Sequence, residues 1–209
     1  DDCQILKWTT STREHVQVAK IADFQPTDFN WLIAKSSGGK SNENLLISSS
    51  DGRFIILNKG ARVERSASAH SGAIISCRWS PDGSGLLTAG EDGVIKIFSR
   101  TGMLRSTVIQ NEGLIVCARW SPSSTMIAYC HGNTIALKPL AANSKSIKWQ
   151  AHDGLVLALS WSPNGEFLAS AGEDSRYKIW DSQGTNIYTS AGDDFPITTL
   201  DFSPDGSML

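Results

Sequence analysis

Two sets of residues in this sequence combine a histidine, a hydroxyl and a carboxylate at the same spacing of 18 and then 4 residues. They are His70, Thr88 and Asp92, and His152, Ser170 and Asp174. When such side chains converge, the histidine can accept the hydroxyl proton while the carboxylate orients the histidine, which is the chemistry of serine hydrolases. An enzyme needs one such site, whereas this sequence repeats it. The repetition therefore favours a structural role.

The structural alternative is a buried hydrogen-bond relay. In the second set, the Trp180 indole would donate to the Ser170 hydroxyl, and that hydroxyl to a ring nitrogen of His152. Asp174 would hold the other ring nitrogen, so that every buried polar group has a partner. In the first set, Phe98 stands where the tryptophan would be and has no N–H, so this relay is expected to be one member shorter.

Two other kinds of polar pair are weaker candidates for a catalytic or metal-binding site. Glu91-Asp92 and Glu173-Asp174 are adjacent carboxylates. Neighbouring residues on a strand point in different directions, so these pairs are interpreted as turn residues rather than acid–base pairs. Cys130-His131 has poor spacing for metal ligands and no second pair nearby. We predict no catalytic residue, no metal site and no cofactor.

The charge balance limits the class of partner. Nineteen Lys and Arg residues stand against 21 Asp and Glu, a net charge of −2, which argues against nucleic acid as the main partner. The only local basic excess that we expect is formed by Arg53, Lys59, Arg62 and Arg65. Such a cluster could hold an acidic peptide or a phosphate, but a solvated face is the favoured interpretation.

A period of 41 residues runs through the chain. Ser-Pro pairs, each preceded by an aromatic residue, occur at 80–81, 121–122, 162–163 and 203–204. A second marker has the same period at Asp51, Asp92, Asn133 and Asp174. Within one period, strand-like runs at 155–161, 167–171, 177–180 and 186–190 are separated by turn-forming residues. Four strands per repeat predict an all-β protein built from propeller blades.

The repeat resembles that of the WD40 family. The likeness is carried by His152, Ser170, Asp174 and Trp180-Asp181, which fall where that family has its histidine, hydroxyl, turn aspartate and Trp-Asp dipeptide. The resemblance implies a β-propeller fold and the same structural relay. The sequence departs from the pattern at Ala69-His70 and Ala151-His152, where Gly-His is expected, and at Phe98.

We therefore expect a WD40-type β-propeller truncated at both ends. The predicted organisation is a partial blade at 1–20, complete blades at 21–66, 67–107, 108–148 and 149–190, and a partial blade at 191–209. Asp2, Trp8 and Asp51 are the expected equivalents of relay residues, because Asp2 and Trp8 have the same spacing as Asp174 and Trp180. A first strand is predicted at 196–202.

One interval is longer than its equivalents. Trp31 and Asp51 are 20 residues apart, whereas Trp79 and Asp92 are separated by 13. The excess falls in the polar stretch 35–42, which predicts a loop between the first two strands of the second blade. A tolerated surface insertion is the simpler interpretation, and a partner-contacting loop is the alternative.

Two further patterns concern the environment of the chain. The four cysteines include no CxxC pair, which favours a reduced, intracellular protein. No stretch approaches the roughly 20 apolar residues needed to cross a bilayer, so no membrane span is expected.

A more specific likeness lies in a collinear series of segments. These are 49–52, 90–93, 101–107, 151–154 and 177–181, together with the atypical Lys138-Pro139-Leu140 where the fourth blade lacks Trp-Asp. In this order they resemble the eighty-kilodalton WD40 subunit family of the intraflagellar transport B complex.

That resemblance implies a non-enzymatic scaffold needed for cilium assembly, located in the cilium or flagellum, the basal body and the cytoplasm. Its partners would be other intraflagellar transport proteins, with possible homodimerisation through regions outside this segment. It also implies a second propeller and a helical repeat region. The alternative is a WD40 module that reads a degron or phosphopeptide for a ubiquitin ligase or another intracellular complex, which needs converging Arg or Lys residues.

Overall fold

The regular structure of this chain consists of β-strands. A computed structural model describes residues 4–21, 23–35, 41–110 and 113–209, and it contains no helix within those ranges. It therefore has no helix there that could span a membrane. The strands form one two-stranded and four four-stranded antiparallel sheets, in chain order. The all-β prediction is confirmed.

Each sheet is built from consecutive strands. The first contains β1 (Gln4–Trp8) and β2 (His15–Lys20). The second contains β3 (Pro26–Lys35), β4 (Ser41–Ser49), β5 (Arg53–Asn58) and β6 (Val63–Ser68). The third contains β7 (Ile74–Trp79), β8 (Gly85–Gly90), β9 (Ile95–Ser99) and β10 (Leu104–Ile109).

The remaining two sheets continue this order. The fourth contains β11 (Ile115–Trp120), β12 (Met126–His131), β13 (Thr134–Pro139) and β14 (Ile147–Gln150). The fifth contains β15 (Val156–Trp161), β16 (Phe167–Gly172), β17 (Tyr177–Asp181) and β18 (Asn186–Thr189). In the fifth sheet, the predicted strand ends differ from these by at most one residue.

The Ser-Pro pairs form the turn between the first two strands of a sheet. The Ser80 hydroxyl accepts the Gly85 N–H at 3.0 Å and donates to the Asp82 carboxylate at 2.5 Å, while Gly83 has a positive φ of 68°. Ser121 and Ser162 make the same bond to the second strand. These serines are buried, so the pattern is explained by turn geometry rather than by a phosphorylation motif.

The apolar core lies between successive sheets. Phe54 of the second sheet meets Phe98 of the third, with ring centroids 4.9 Å apart, and Trp149 of the fourth meets Trp180 of the fifth at 5.5 Å. The third and fourth sheets thus each bury one face against the sheet before and the other against the sheet after. This explains why central strands such as β8 are buried along their whole length.

The first strands of neighbouring sheets lie side by side, β3 next to β7, β7 next to β11 and β11 next to β15. Side chains bridge the strands where backbone pairing does not. The Asp28 carboxylate accepts the Cys77 N–H at 2.9 Å and pairs with Arg78, and the Asn30 side-chain oxygen accepts the Trp79 N–H at 2.9 Å. Four-stranded sheets whose first strands lie side by side in this way are characteristic of a propeller.

Two sequence predictions about individual segments were wrong. Residues 196–202 form no strand, because no strand of the described residues forms a ladder with them, although the following turn has the expected Ser203 to Met208 bonds. The 35–42 stretch is not entirely a loop, since Lys35 pairs with Ser41 and Ala34 with Asn42 at the end of a prolonged hairpin. The rest of that stretch, 36–40, lies outside the described residues.

The cysteines in the described part of the chain are free thiols in the core. Cys77, Cys117 and Cys130 are all buried. Burial raises the pKa of the Cys77 thiol to about 12, so it remains protonated and unreactive. Cys3 lies outside the described residues.

Candidate functional site

The structure brings the second predicted residue set together in the fifth sheet. The Trp180 indole N–H, on β17, donates to the Ser170 hydroxyl on β16 at 2.8 Å. That hydroxyl lies 2.7 Å from Nε2 of His152, and Nδ1 of His152 lies 2.8 Å from the Asp174 carboxylate. The backbone N–H of His152 is itself held by the Asn133 carbonyl of the preceding sheet. The four side chains therefore link both strands, a turn and the segment that enters the sheet.

The first set converges in the same way in the third sheet. Nε2 of His70 lies 2.8 Å from the Thr88 hydroxyl, and Nδ1 lies 2.8 Å from the Asp92 carboxylate. Phe98 occupies the position of the tryptophan but packs against Phe54 of the second sheet. Without an indole N–H, this relay has three members.

The hydrogen bonds determine the proton positions. Because the Ser170 hydroxyl accepts the indole N–H, its own hydrogen is available for Nε2 of His152, and the neutral ring carries its hydrogen on Nδ1 toward Asp174. Burial lowers the pKa of His152 and outweighs the opposing effect of the nearby carboxylate. His70 has a lowered pKa for the same reason.

The aspartates remain ionised. Burial opposes the charge on Asp174, but hydrogen bonds from His152 and from the Asp153 backbone outweigh it and hold the pKa of Asp174 below its usual range. Asp92 also has a lowered pKa, because bonds from His70 and the Ser71 backbone outweigh its burial. Each relay thus pairs a neutral imidazole with a carboxylate.

The order of groups in each relay matches a hydrolase triad, but access differs. The side chains of His70 and His152 have no exposed surface, and Thr88 and Ser170 are also fully buried. A nucleophile must reach a substrate carbon, and these hydroxyls are closed to solvent. In this arrangement the groups can hold strands and turns together, and they cannot attack a substrate.

The lowered pKa values predict acid-sensitive stability. Below the ordinary histidine pKa of 6.5, His70 and His152 bind protons in the unfolded chain but remain neutral in the folded protein, because their folded pKa values are lowered. The free energy of unfolding therefore falls as the pH falls. The aspartate contribution is lost later, as pH falls below 3.8 and through the lowered folded pKa values. We expect the melting temperature to decrease from about pH 8 to about pH 5. A melting temperature that rises over this range would contradict the neutral-imidazole assignment.

The predicted equivalents in the first two sheets are not joined into a relay. Asp51 is bound to Arg53, with Nε 2.5 Å from its carboxylate, and the equivalents of the hydroxyl and tryptophan are the buried Ile47 and Leu57. Trp8 is 60% exposed and lies against the His15 ring, while Asp2 is outside the described residues. In the second sheet, apolar packing replaces the polar network. The sequence already indicated this, because residues 47 and 57 have apolar side chains that cannot form the relay hydrogen bonds.

Sequence reasoning missed a lysine that accompanies each relay. The Lys178 ammonium donates to the Ala151 carbonyl at 2.6 Å, just before His152, and lies 5.9 Å from the centre of the Trp180 ring. Lys96 makes the equivalent contact to the Ala69 carbonyl. The signal was present, because these lysines have the same 82-residue separation as the two histidines.

The predicted basic cluster is partly neutralised. Arg53 pairs with Asp51 and lies over the Phe24 ring, and Lys59 pairs with Glu43 at 3.4 Å. Arg65 packs its aliphatic part beside Gly102 of the third sheet. These contacts do not converge on one ligand-sized space.

Comparison with known families agrees with this geometry. The family model "WD domain, G-beta repeat" matches residues 62–99 and 143–181, and these two ranges contain both relays in full. The chain carries WD40 repeats. Its consecutive four-stranded sheets are consistent with a partial WD40-type β-propeller.

The relatives extend the likeness beyond single WD40 repeats. "Intraflagellar transport protein 80 homolog" of Rattus norvegicus and that of Mus musculus are each 42% identical over 213 aligned residues, covering 100% of this chain and 27% of the relative. The chain therefore spans about a quarter of their length. "WD repeat-containing protein AAC3" of Dictyostelium discoideum is 35% identical over 66 residues, which cover 31% of this chain and 14% of the length of that relative.

Proposed function

We propose that this chain is part of a subunit of the intraflagellar transport B complex and acts there as a non-enzymatic WD40 scaffold in cilium assembly. The supporting observation is the 42% identity to intraflagellar transport protein 80 homologs, which extends over the whole chain and so includes the blade that has lost its Trp-Asp. Similarity confined to shared WD40 positions would cover only the repeat motifs, as it does for more distant WD-repeat relatives.

The site geometry supports a scaffold rather than an enzyme. Both triad-like sets are sealed in the core, and each makes contacts that hold its own sheet together. Among the described residues, no group of three or more His, Cys, Asp and Glu side chains could hold a metal ion. The four-stranded sheets support the division into complete blades at about 21–66, 67–107, 108–148 and 149–190 as a further part of the proposal.

Partners and location follow from the same proposal. We expect the intact protein to bind other intraflagellar transport proteins in the cilium or flagellum, with pools at the basal body and in the cytoplasm. Nucleic acid is not an expected partner, and homodimerisation would use regions outside this segment. The scaffold role requires surfaces that bind protein, which the exposed loops and outer strands of the blades provide.

A rescue experiment tests the non-enzymatic ciliary role. In ciliated cells depleted of the protein, full-length wild type and Ser170→Ala are re-expressed at equal folded levels, with Ser170→Thr as the variant that keeps a hydroxyl. We expect depletion to remove cilia and all three forms to restore them, because the Ser170 hydroxyl has no catalytic task. Intact cilia after depletion would contradict the ciliary role. Failure of Ser170→Ala alone, at matched levels of folded protein, would contradict the non-enzymatic role.

A further inference from the structure

A groove of about 400 Å³ separates the third and fourth sheets. One side is formed by Ile97 and by Arg105 to Val108, and the other by residues 138–141. Its origin lies at Pro139, which has the position held by Phe98 in the third sheet and Trp180 in the fifth. Those aromatic rings fill the space toward the preceding sheet, whereas proline cannot. The lost Trp-Asp of the fourth blade thus leaves an open space.

A second departure keeps the groove open. The last turn of the third sheet contains Gly102, where an added Cβ would lie 2.6 Å from the Arg65 side chain of the preceding sheet. The last turn of the fifth sheet contains Gly184, where an added Cβ would lie 2.6 Å from the Trp149 ring of the preceding sheet. The equivalent residue in the fourth sheet is Asn143, also with a positive φ. A residue with a side chain cannot make so close a contact. The loop between β13 and β14 is also longer than its counterparts.

The stretch of sequence that supplies both walls of this groove is basic. From Gly93 to Ala151 the sequence has seven Lys or Arg residues and a single acid, Glu112, although the whole chain has a net charge of −2. The prediction that residues 53–65 hold the only local basic excess was therefore wrong. Among the residues that the structure describes, no carboxylate pairs with Arg105 or Lys138, the two cations of the groove.

The apolar lining completes the site. Ile97, Val108, Pro139 and Leu140 line the groove between the two cations. The volume is within the range of pockets that enclose a small ligand or a few side chains, and it is too small for a folded domain. Beside it, β10 is the outer strand of the third sheet in the described part of the chain, and Ser106 and Thr107 on this strand are exposed.

We propose that this groove binds an extended acidic segment of a partner protein. Apolar side chains of the segment would enter between Ile97 and Leu140, and its carboxylates would pair with Arg105 and Lys138. The positive charge and the small volume of the groove favour such a segment over a basic or globular partner. This inference rests on the proposed scaffold function for the identity of the partner, while the binding itself can be measured with purified protein.

Peptide binding tests the proposal. The probe is a short fluorescent peptide that alternates glutamate and leucine, and its anisotropy is measured with the full-length protein. We expect Arg105→Glu with Lys138→Glu to weaken binding by about tenfold, because two attractive charge pairs become repulsive. Arg105→Glu alone should weaken it by about threefold. The exposed Arg105 side chain makes none of the described side-chain hydrogen bonds, so the single variant should fold normally.

Matched controls separate the possible outcomes. Arg62→Glu makes the same change in net charge at an exposed turn of the second sheet, and it should leave binding within about twofold. The peptide with lysine in place of glutamate should not bind. Absence of acidic-peptide binding, or equal loss with Arg62→Glu, would overturn the proposal. So would Arg105-dependent binding of phosphatidylserine vesicles without peptide binding. Failure here with successful ciliary rescue would reject the groove and leave the scaffold function intact.

Discussion

Gly52→Ala is expected to lower the free energy of unfolding by about 3–5 kcal/mol. Gly52 has a φ of +80°, and a Cβ added there would lie 2.1 Å from the His70 carbonyl oxygen and 2.8 Å from that of Gly72. These are backbone atoms that cannot rotate away. The carbonyl of Gly52 also accepts the N–H groups of Ala69 and His70, so the two segments are held together.

Gly132→Ala is the matched control for this prediction. Gly132 also has a positive φ, 56°, but an added Cβ would meet no atom within 4 Å. Its cost should therefore be limited to the left-handed backbone of a non-glycine residue, about 1–2 kcal/mol. Urea denaturation of the full-length protein measures both variants. Equal losses at the two positions would contradict the close contact between Gly52 and the segment that carries His70.

Asp174→Ala is expected to cost about 2–4 kcal/mol. The change leaves Nδ1–H of His152 buried without its acceptor, and it also removes the acceptor of the Asp153 N–H, 3.2 Å away. An unsatisfied buried group loses its hydration without compensation. Thermal and urea unfolding measure the loss, and His70→Gln in the third sheet should be destabilising for the same reason.

Two controls define what the relay contributes. Trp180→Phe reproduces the three-member relay of the third sheet and should cost about 1 kcal/mol, since one hydrogen bond is lost while the ring still packs against Trp149. Asp194→Ala, at an exposed position, should change stability by less than about 0.5 kcal/mol. If Asp174→Ala were as mild as Asp194→Ala, the relay would not be a stabilising element.

Much of the fold could be predicted because the 41-residue period repeats turn chemistry as well as apolar residues. The Ser-Pro turns and the intervening strands lie where Ser80, Ser121 and Ser162 predicted them, since a buried serine hydroxyl and the following turn specify local geometry. The relay residues came together because their offsets match the register of adjacent strands. Local spacing was sufficient for these features.

Features that depend on neighbouring sheets were not predictable in the same way. The absence of a strand at 196–202 depends on which segments lie alongside. The groove at Pro139 exists because the space between the third and fourth sheets is not filled by an aromatic ring at that position. The basic composition around it was visible in the sequence, but its meaning required knowing that Arg105 and Lys138 face one space.

The central claim is that these blades are a scaffold of the transport particle. The most direct test is to purify the full-length protein by affinity from ciliated cells and to identify its partners by mass spectrometry. We expect wild-type protein to recover other intraflagellar transport subunits, and Trp180→Phe to recover the same set, because the relay has no direct role in binding. Recovery of ubiquitin-ligase components in their place, or of no transport subunit, would contradict the account.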